Sequence, residues 1–248
     1  MSGRIDVLVL DDEAAVAAVA AGLFAELIRR KPNAVLGLAT GSTPEPIYAE
    51  MVHLYIDTGG GLSFAKTRAF NLDEYLGLDG DHDQSYRFFM QTRLFDSIDI
   101  RAWNTFIFDG TAFDPEQECR AYEAKIRAVG GVDLWLLGIG SNGHIAFNEP
   151  GSDPASRSRV VTPDAETVKA NSRHFADPSA VPTQAMTAGV GTILDARQIV
   201  LVATGVHKAD AVAQALEGPR SSACPASLLQ EHPDCTFLLD SAAASQLC

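Results

Sequence analysis

The hydrophobic pattern switches between two periods along the chain. Short apolar runs bounded by turn residues fall at 6–10 (DVLVL), 34–39 (AVLGLA), 67–72, 105–108, 133–139 (DLWLLGI), 199–203 and 236–239. Between them, apolar residues recur at helical spacing over 13–30, from 44 or 45 to about 56, and over 84–95, 115–129 and 208–216. The first kind of run reads as strand, with 133–139 as a buried one, and the second as amphipathic helix. Strands alternating with helices imply an α/β fold, a Rossmann-like parallel sheet with helices on both faces. No linker and no internal repeat divides the chain, so a single domain over 1–248 is expected. In such sheets ligands sit beyond the carboxyl ends of the strands. The loops at 40–43, 73–75, 140–149 and 204–208 therefore rank first.

Composition narrows this picture. The 248 residues suffice for a sizeable core, and 46% apolar with 21% charged residues is ordinary for a globular enzyme. No apolar run is long enough to span a bilayer, and the N-terminus lacks a signal-peptide pattern; no membrane partner and a cytoplasmic location are expected. The net charge of −13, with no cluster of Lys or Arg, disfavours a duplex nucleic-acid partner, and none is expected. It also means that an anionic ligand needs a locally positive site, built from helix-start N–H groups and one or two placed cations. Cys119, Cys224, Cys235 and Cys248 form no C-x-x-C pair and read as reduced thiols. The six histidines show no ligand spacing, and P-loop and dinucleotide patterns are missing, so neither metal nor cofactor is expected.

Four stretches carry candidate chemistry. In LATGSTP (38–44), a strand ends in a Gly turn, followed by two hydroxyl residues and a Pro suited to a first helical position. This is either an ordinary N-cap turn or an anion site at a helix start. In FNLDEY (70–75), Asp73 and Glu74 end a strand; a partly desolvated carboxylate there serves as a base, or the pair is a helix N-cap or a surface turn. GIGSNGHIAFNEP (138–150) runs from a buried strand into a glycine-rich turn around His144, with Glu149 as a carboxylate partner to orient it. His is the usual proton-transfer group near neutral pH, and glycines around it admit close approach of a ligand. The alternative is a structural loop histidine. Lastly, NSR (171–173) and GVHK (205–208) offer Arg173 and Lys208, which are either solvated charges or the cations that an anionic ligand requires.

Taken together, LATGSTP, FNLDEYLGL (70–78), LLGIGSNGHIAFNEPGS (136–152), ANSRHF (170–175), AMTAGVGTILDA (185–196) and ATGVHKADAV (203–212) resemble the glucosamine-6-phosphate deaminase family. The resemblance covers the chain from Ala34 to about Asp240, and GHIAFNEP is its most specific part. It implies an aldose–ketose isomerase/deaminase converting glucosamine-6-phosphate and water to fructose-6-phosphate and ammonia. Its only partner would be a small amino-sugar phosphate, and no cofactor is called for. On this resemblance Asp73 is the base that moves a proton between C2 and C1, and His144 is the acid/base that opens the sugar ring. Glu149 supports His144. Gly41, Ser42 and Thr43 form the phosphate loop, with Arg173 and Lys208 as its cations. Asn142 stands where some members carry Asp; it cannot act as a base, but it can bind the ring oxygen or orient His144. Val161 stands where allosteric hexameric members carry Lys, which implies a monomer or small homo-oligomer without activation by N-acetylglucosamine-6-phosphate. The polar stretch 152–180 is expected to cover the substrate in part.

Three rivals follow from the same resemblance. The galactosamine epimer shares these motifs. A 6-phosphogluconolactonase would carry a different run after the histidine. A non-catalytic sugar-phosphate sensor would carry a basic helix-turn-helix segment, for which this sequence shows no candidate.

Overall fold

The computed structural model describes residues 5–59, 61–164, 167–168, 175 and 180–248. In chain order its strands are β1 (Ile5–Leu10), β2 (Val35–Leu38), β3 (Arg68–Asn71), β4 (Asp73–Tyr75), β5 (Thr105–Phe106), β6 (Leu134–Leu137), β7 (Arg159–Val161), β8 (Ala185–Thr187), β9 (Gln198–Ala203) and β10 (Cys235–Asp240). Its α-helices are α1 (Glu13–Arg30), α2 (Glu45–Asp57), α3 (Tyr86–Arg93), α4 (Pro115–Ala128), α5 (Val190–Leu194) and α6 (Ala209–Leu216).

Seven strands form one sheet in the order β1-β10-β9-β6-β2-β3-β5, and every neighbouring pair is parallel. Successive side chains of a strand point to opposite faces, and all four residues of both β2 and β6 are buried. The centre of the sheet is therefore covered on both faces, whereas the edge strand β1 leaves Val7, Leu8 and Val9 exposed despite its apolar run. Strand order runs outward from β2 through β3 to β5, and outward from β6 through β9 to β10. The crevice between the carboxyl ends of β2 and β6 is thus the topological switch point, where α/β sheets bind their ligands.

Local chemistry sets the element ends. Asp12 caps α1, its carboxylate accepting the Ala15 N–H at 2.8 Å, and Val16, Ala17, Ala20, Ala21 and Phe24 form the buried stripe that helical spacing puts on one face. Asp114 caps α4 in the same way through Gln117 N–H at 2.9 Å, with Pro115 in the first turn. At the amino ends of the strands, the buried Asp133 carboxylate accepts from Lys31 Nζ (2.8 Å), Arg197 Nη1 (3.1 Å) and Val35 N–H (2.8 Å). That network ties β2 and β6 together at the end opposite the crevice.

The structure departs from the sequence reading in four places. Residues 73–75, read as a loop, are strand β4. It pairs antiparallel with β8, which pairs with β7, so a second, three-stranded sheet stands beside the main one. Strands of three residues are too short to display a period. The strand expected over 105–108 pairs only at Thr105–Phe106. The helix expected over 84–95 begins after Ser85, whose hydroxyl accepts the Phe88 N–H at 3.0 Å. Lys208 ends a 3-10 turn (Val206–Lys208) instead of opening the following helix, which starts at Ala209.

Candidate active site

At the switch point lies a cavity of about 260 Å³, lined by residues 39–44 after β2, Leu72 and Asp73 at the β3–β4 junction, 138–142 after β6, and Lys208 after β9. Four of the loops ranked from the sequence thus converge on one space.

The first wall is the turn into α2. The Tyr48 hydroxyl accepts the Ala39 N–H at 3.1 Å and donates to the Ala39 carbonyl at 2.5 Å, which fixes the chain as it leaves β2. Gly41 then takes a φ of 109°, a left-handed conformation that residues with a Cβ rarely adopt. Ser42 and Thr43 follow, and α2 begins at Glu45 with Pro44 at its entry and no side chain capping it. The uncapped N–H groups and the two hydroxyls supply donors at the positive end of a helix.

The second wall separates the two carboxyls of FNLDEY. Neighbours on a strand point opposite ways. Glu74 turns away from the cavity and accepts the N–H groups of Tyr75 (2.8 Å), Tyr86 (2.9 Å) and Arg87 (2.9 Å), so it holds the start of α3. Asp73 turns toward the cavity, 7% exposed, and among the described residues nothing donates a hydrogen bond to its carboxyl group. Burial, and then the charge of Glu74, push the Asp73 carboxyl up to about 8.

The third wall is the glycine-rich turn after β6. The Gly140 N–H donates to the His144 carbonyl at 2.9 Å, folding the loop back on itself. The His144 ring lies against Gly140 so closely that a Cβ there would come within 2.2 Å of it. Asn142 Nδ2 donates to Glu149 Oε2 at 2.8 Å, so its Oδ1 is the atom that faces His144 Nδ1, at 2.8 Å. Glu149 Oε2 itself lies 3.3 Å from Nδ1. Both atoms facing Nδ1 are acceptors, so Nδ1 carries the proton and, in the neutral ring, Nε2 keeps its lone pair. Burial works to raise the Glu149 carboxyl. Hydrogen bonds from His144 and Thr167, the charge of His144 and the hydrogen bond from Asn142 outweigh it and hold the group down at about 2. Past the histidine, Ala146 lines the cavity with a φ of 51°, a left-handed geometry costing about 1–2 kcal/mol for a residue with a Cβ.

Among the described residues, Lys208 is the only Lys or Arg lining the cavity, and its Nζ donates to the Ile139 carbonyl at 2.6 Å. The Gly205 N–H donates to both oxygens of Asp240, at 3.1 and 2.9 Å, which steadies the turn carrying Lys208. Arg173 lies outside the described residues, as do residues 165–166, 169–172, 174 and 176–179 of the stretch read as a cover. Of the sequence candidates, Gly41, Ser42, Thr43, Asp73, Asn142, His144 and Lys208 line the cavity directly, and Glu149 reaches it through Asn142 and His144. Two features were missed. Asn148 is a brace: it donates to the Ile145 and Ala188 carbonyls and accepts from Arg159. Thr167 donates to Glu149 from a stretch with no motif of its own. No group of three or more metal-ligating side chains occurs among the described residues, and none of their helices is long and apolar enough to cross a membrane.

Residues 11–238 match the family described as glucosamine-6-phosphate isomerases/6-phosphogluconolactonase. The chain belongs to this family. Within it, the chain is 51% identical over 243 residues to a protein of Shewanella loihica named glucosamine-6-phosphate deaminase, covering 98% of this chain and 90% of that one. It is also 51% identical over 218 residues to glucosamine-6-phosphate deaminase 1 of Giardia intestinalis, covering 88% and 81%. Among solved structures, a monomeric glucosamine-6-phosphate deaminase superposes with a TM-score of 0.95 at 44% identity, covering 98% of this chain and all of that one. A 6-phosphogluconolactonase from Trypanosoma brucei superposes at 0.80 with 22% identity, which shows a shared fold.

Proposed function

We propose that this protein is a glucosamine-6-phosphate deaminase, converting glucosamine-6-phosphate and water to fructose-6-phosphate and ammonia. One observation carries the reading. A single cavity faces a buried carboxyl poised near neutrality, Asp73, and an imidazole whose Nδ1 is committed to Asn142 and Glu149. Isomerising an amino sugar needs both tools: one to open the ring, and one to carry a proton between adjacent carbons. The relatives at about half identity named deaminases support the same choice.

In this mechanism the phosphate sits at the start of α2 against Gly41, Ser42 and Thr43, with Lys208, and with Arg173 assigned by family resemblance. Binding there is remote from the reacting carbons and positions them. His144 Nε2 takes the proton of the C1 hydroxyl and delivers it to the ring oxygen, which opens the ring to the aldehyde. Asp73, as carboxylate, removes the C2 proton; the electrons move toward C1 and onto its oxygen, which takes up a proton as the amino group gives one up, and the protonated carboxyl returns the first proton to C1. The amino-bearing C2 is left as an imine. Water adds to it, the C2–N bond breaks, and ammonia leaves with the ketose phosphate. A carboxyl with a pKa near 8 is a far stronger base than an ordinary aspartate, as carbon deprotonation requires. The protein works as a monomer in this reading, like its structural relative.

The test is a parallel assay of glucosamine-6-phosphate, galactosamine-6-phosphate and 6-phosphogluconolactone, without added metal or nucleotide. Ammonia from the first, matched mole for mole by fructose-6-phosphate, is expected. Ammonia from the galactosamine epimer alone would keep the chemistry and change the substrate. Lactone hydrolysis alone would overturn the reading.

A further inference from the structure

Glu149 has two oxygens with separate tasks. Oε2 accepts from Asn142 Nδ2 at 2.8 Å and faces His144 Nδ1 at 3.3 Å. Oε1 accepts the Thr167 hydroxyl at 2.6 Å, and Asp164 N–H approaches the same oxygen only at 3.4 Å. Both side chains are buried, and Thr167 lines the cavity that holds Asp73 and His144. The last torsion of a glutamate is broad, so an anchor on one oxygen leaves the carboxylate plane free to turn. Two anchors fix it. The next residue, Val168, packs against the cluster that includes Tyr75 and Phe147. Tyr75 ends β4, the strand that Asp73 begins, and Phe147 belongs to the turn of His144. The position of Thr167 is therefore set by the same packing that braces both proton-transfer groups.

We propose that Thr167 is a positioning residue for proton transfer. By holding Oε1 it sets the rotation of the Glu149 carboxylate. This keeps Oε2 on Asn142 and His144, Nδ1–H as the donor, and Nε2 turned to the substrate. The inference rests on the deaminase reading for its kinetic consequence, though not for its geometric one.

Two variants test it. Thr167→Val keeps the β-branched shape and removes the hydroxyl; Thr167→Ser keeps the hydroxyl. Because a hydrogen bond to a charged group is among the stronger ones, Thr167→Val should lower kcat for ammonia release by about tenfold or more, with KM within about twofold. Thr167→Ser should restore kcat. In the substrate-free protein, the His144 Nδ1–H proton should give a slowly exchanging NMR resonance in wild type and Thr167→Ser, lost in Thr167→Val. Retention of both kcat and that resonance in Thr167→Val would overturn the proposal. So would equal losses in both variants, which would make the role one of packing. If wild type released no ammonia, the deaminase reading would fall; a resonance unchanged in Thr167→Val would still overturn the positioning role, and its selective loss would still support it.

Discussion

Asp73 and Glu149 are carboxyl groups of one site, and their surroundings drive them in opposite directions. Glu149 is met by donors on both oxygens and stays ionised down to about pH 2. Asp73 is buried beside another carboxylate without a described donor and holds its proton up to about 8. Such a split separates an ionised support from a base of matched strength. It also has a stability consequence of definite sign. An unfolded Asp loses its proton near pH 4, so between about 4 and 8 the folded state holds the extra proton. That stabilising contribution is complete below the unfolded value and is lost as pH rises through 8. Asp73→Asn, neutral throughout, should therefore melt at least about 5 °C above wild type at pH 9 and close to it at about pH 4. Thermal melts at the two pH values check this; an equal difference at both would mean that the Asp73 proton is not held by burial. Glu149 behaves oppositely: its contribution is present above the ordinary carboxyl range and is lost as pH falls toward 2.

The turn after β6 shows how one element aims a side chain. A buried strand delivers the chain to the switch point, and Gly140 leaves room for the ring of His144. Adding one methyl group at Gly140 must push the ring away from its place. Gly140→Ala should retain the fold while lowering kcat on the order of a hundredfold, the scale expected for a misplacement of about 1 Å. A crystal structure with the ring unmoved, or turnover unchanged, would contradict this. The same element marks how far the sequence was legible. GIGSNGHIAFNEP announced the turn that lines the cavity because glycines, a histidine and a carboxylate are crowded beside an apolar strand. The role of Glu74 in holding α3 was visible only as an open alternative for FNLDEY, since the helix it caps starts at Tyr86, far along the chain. Strands β4, β7 and β8 were invisible because three residues carry no period. Thr167 was invisible because a single hydroxyl acquires its meaning only from the carboxylate that folding brings to it.

At the scale of the molecule, the sheet order explains why distant motifs meet. β2, β3, β6 and β9 lie side by side, so the loops that leave them open onto one crevice. A chain of net charge −13 can still receive an anion there, because the crevice presents an uncapped helix start and Lys208. The carboxyl beside it is Asp73, pushed up to about 8 by burial, so it opposes an incoming anion less than an ordinary aspartate would. In the proposed mechanism binding falls to the α2 start and Lys208, and proton transfer to the walls that carry Asp73 and His144. The most direct test is ammonia release from glucosamine-6-phosphate, measured side by side for wild type and Asp73→Asn. The base role of Asp73 predicts ammonia and fructose-6-phosphate in equal amounts from wild type, and none from an Asp73→Asn protein that is folded and still binds the sugar phosphate. Wild-type turnover in Asp73→Asn would contradict it.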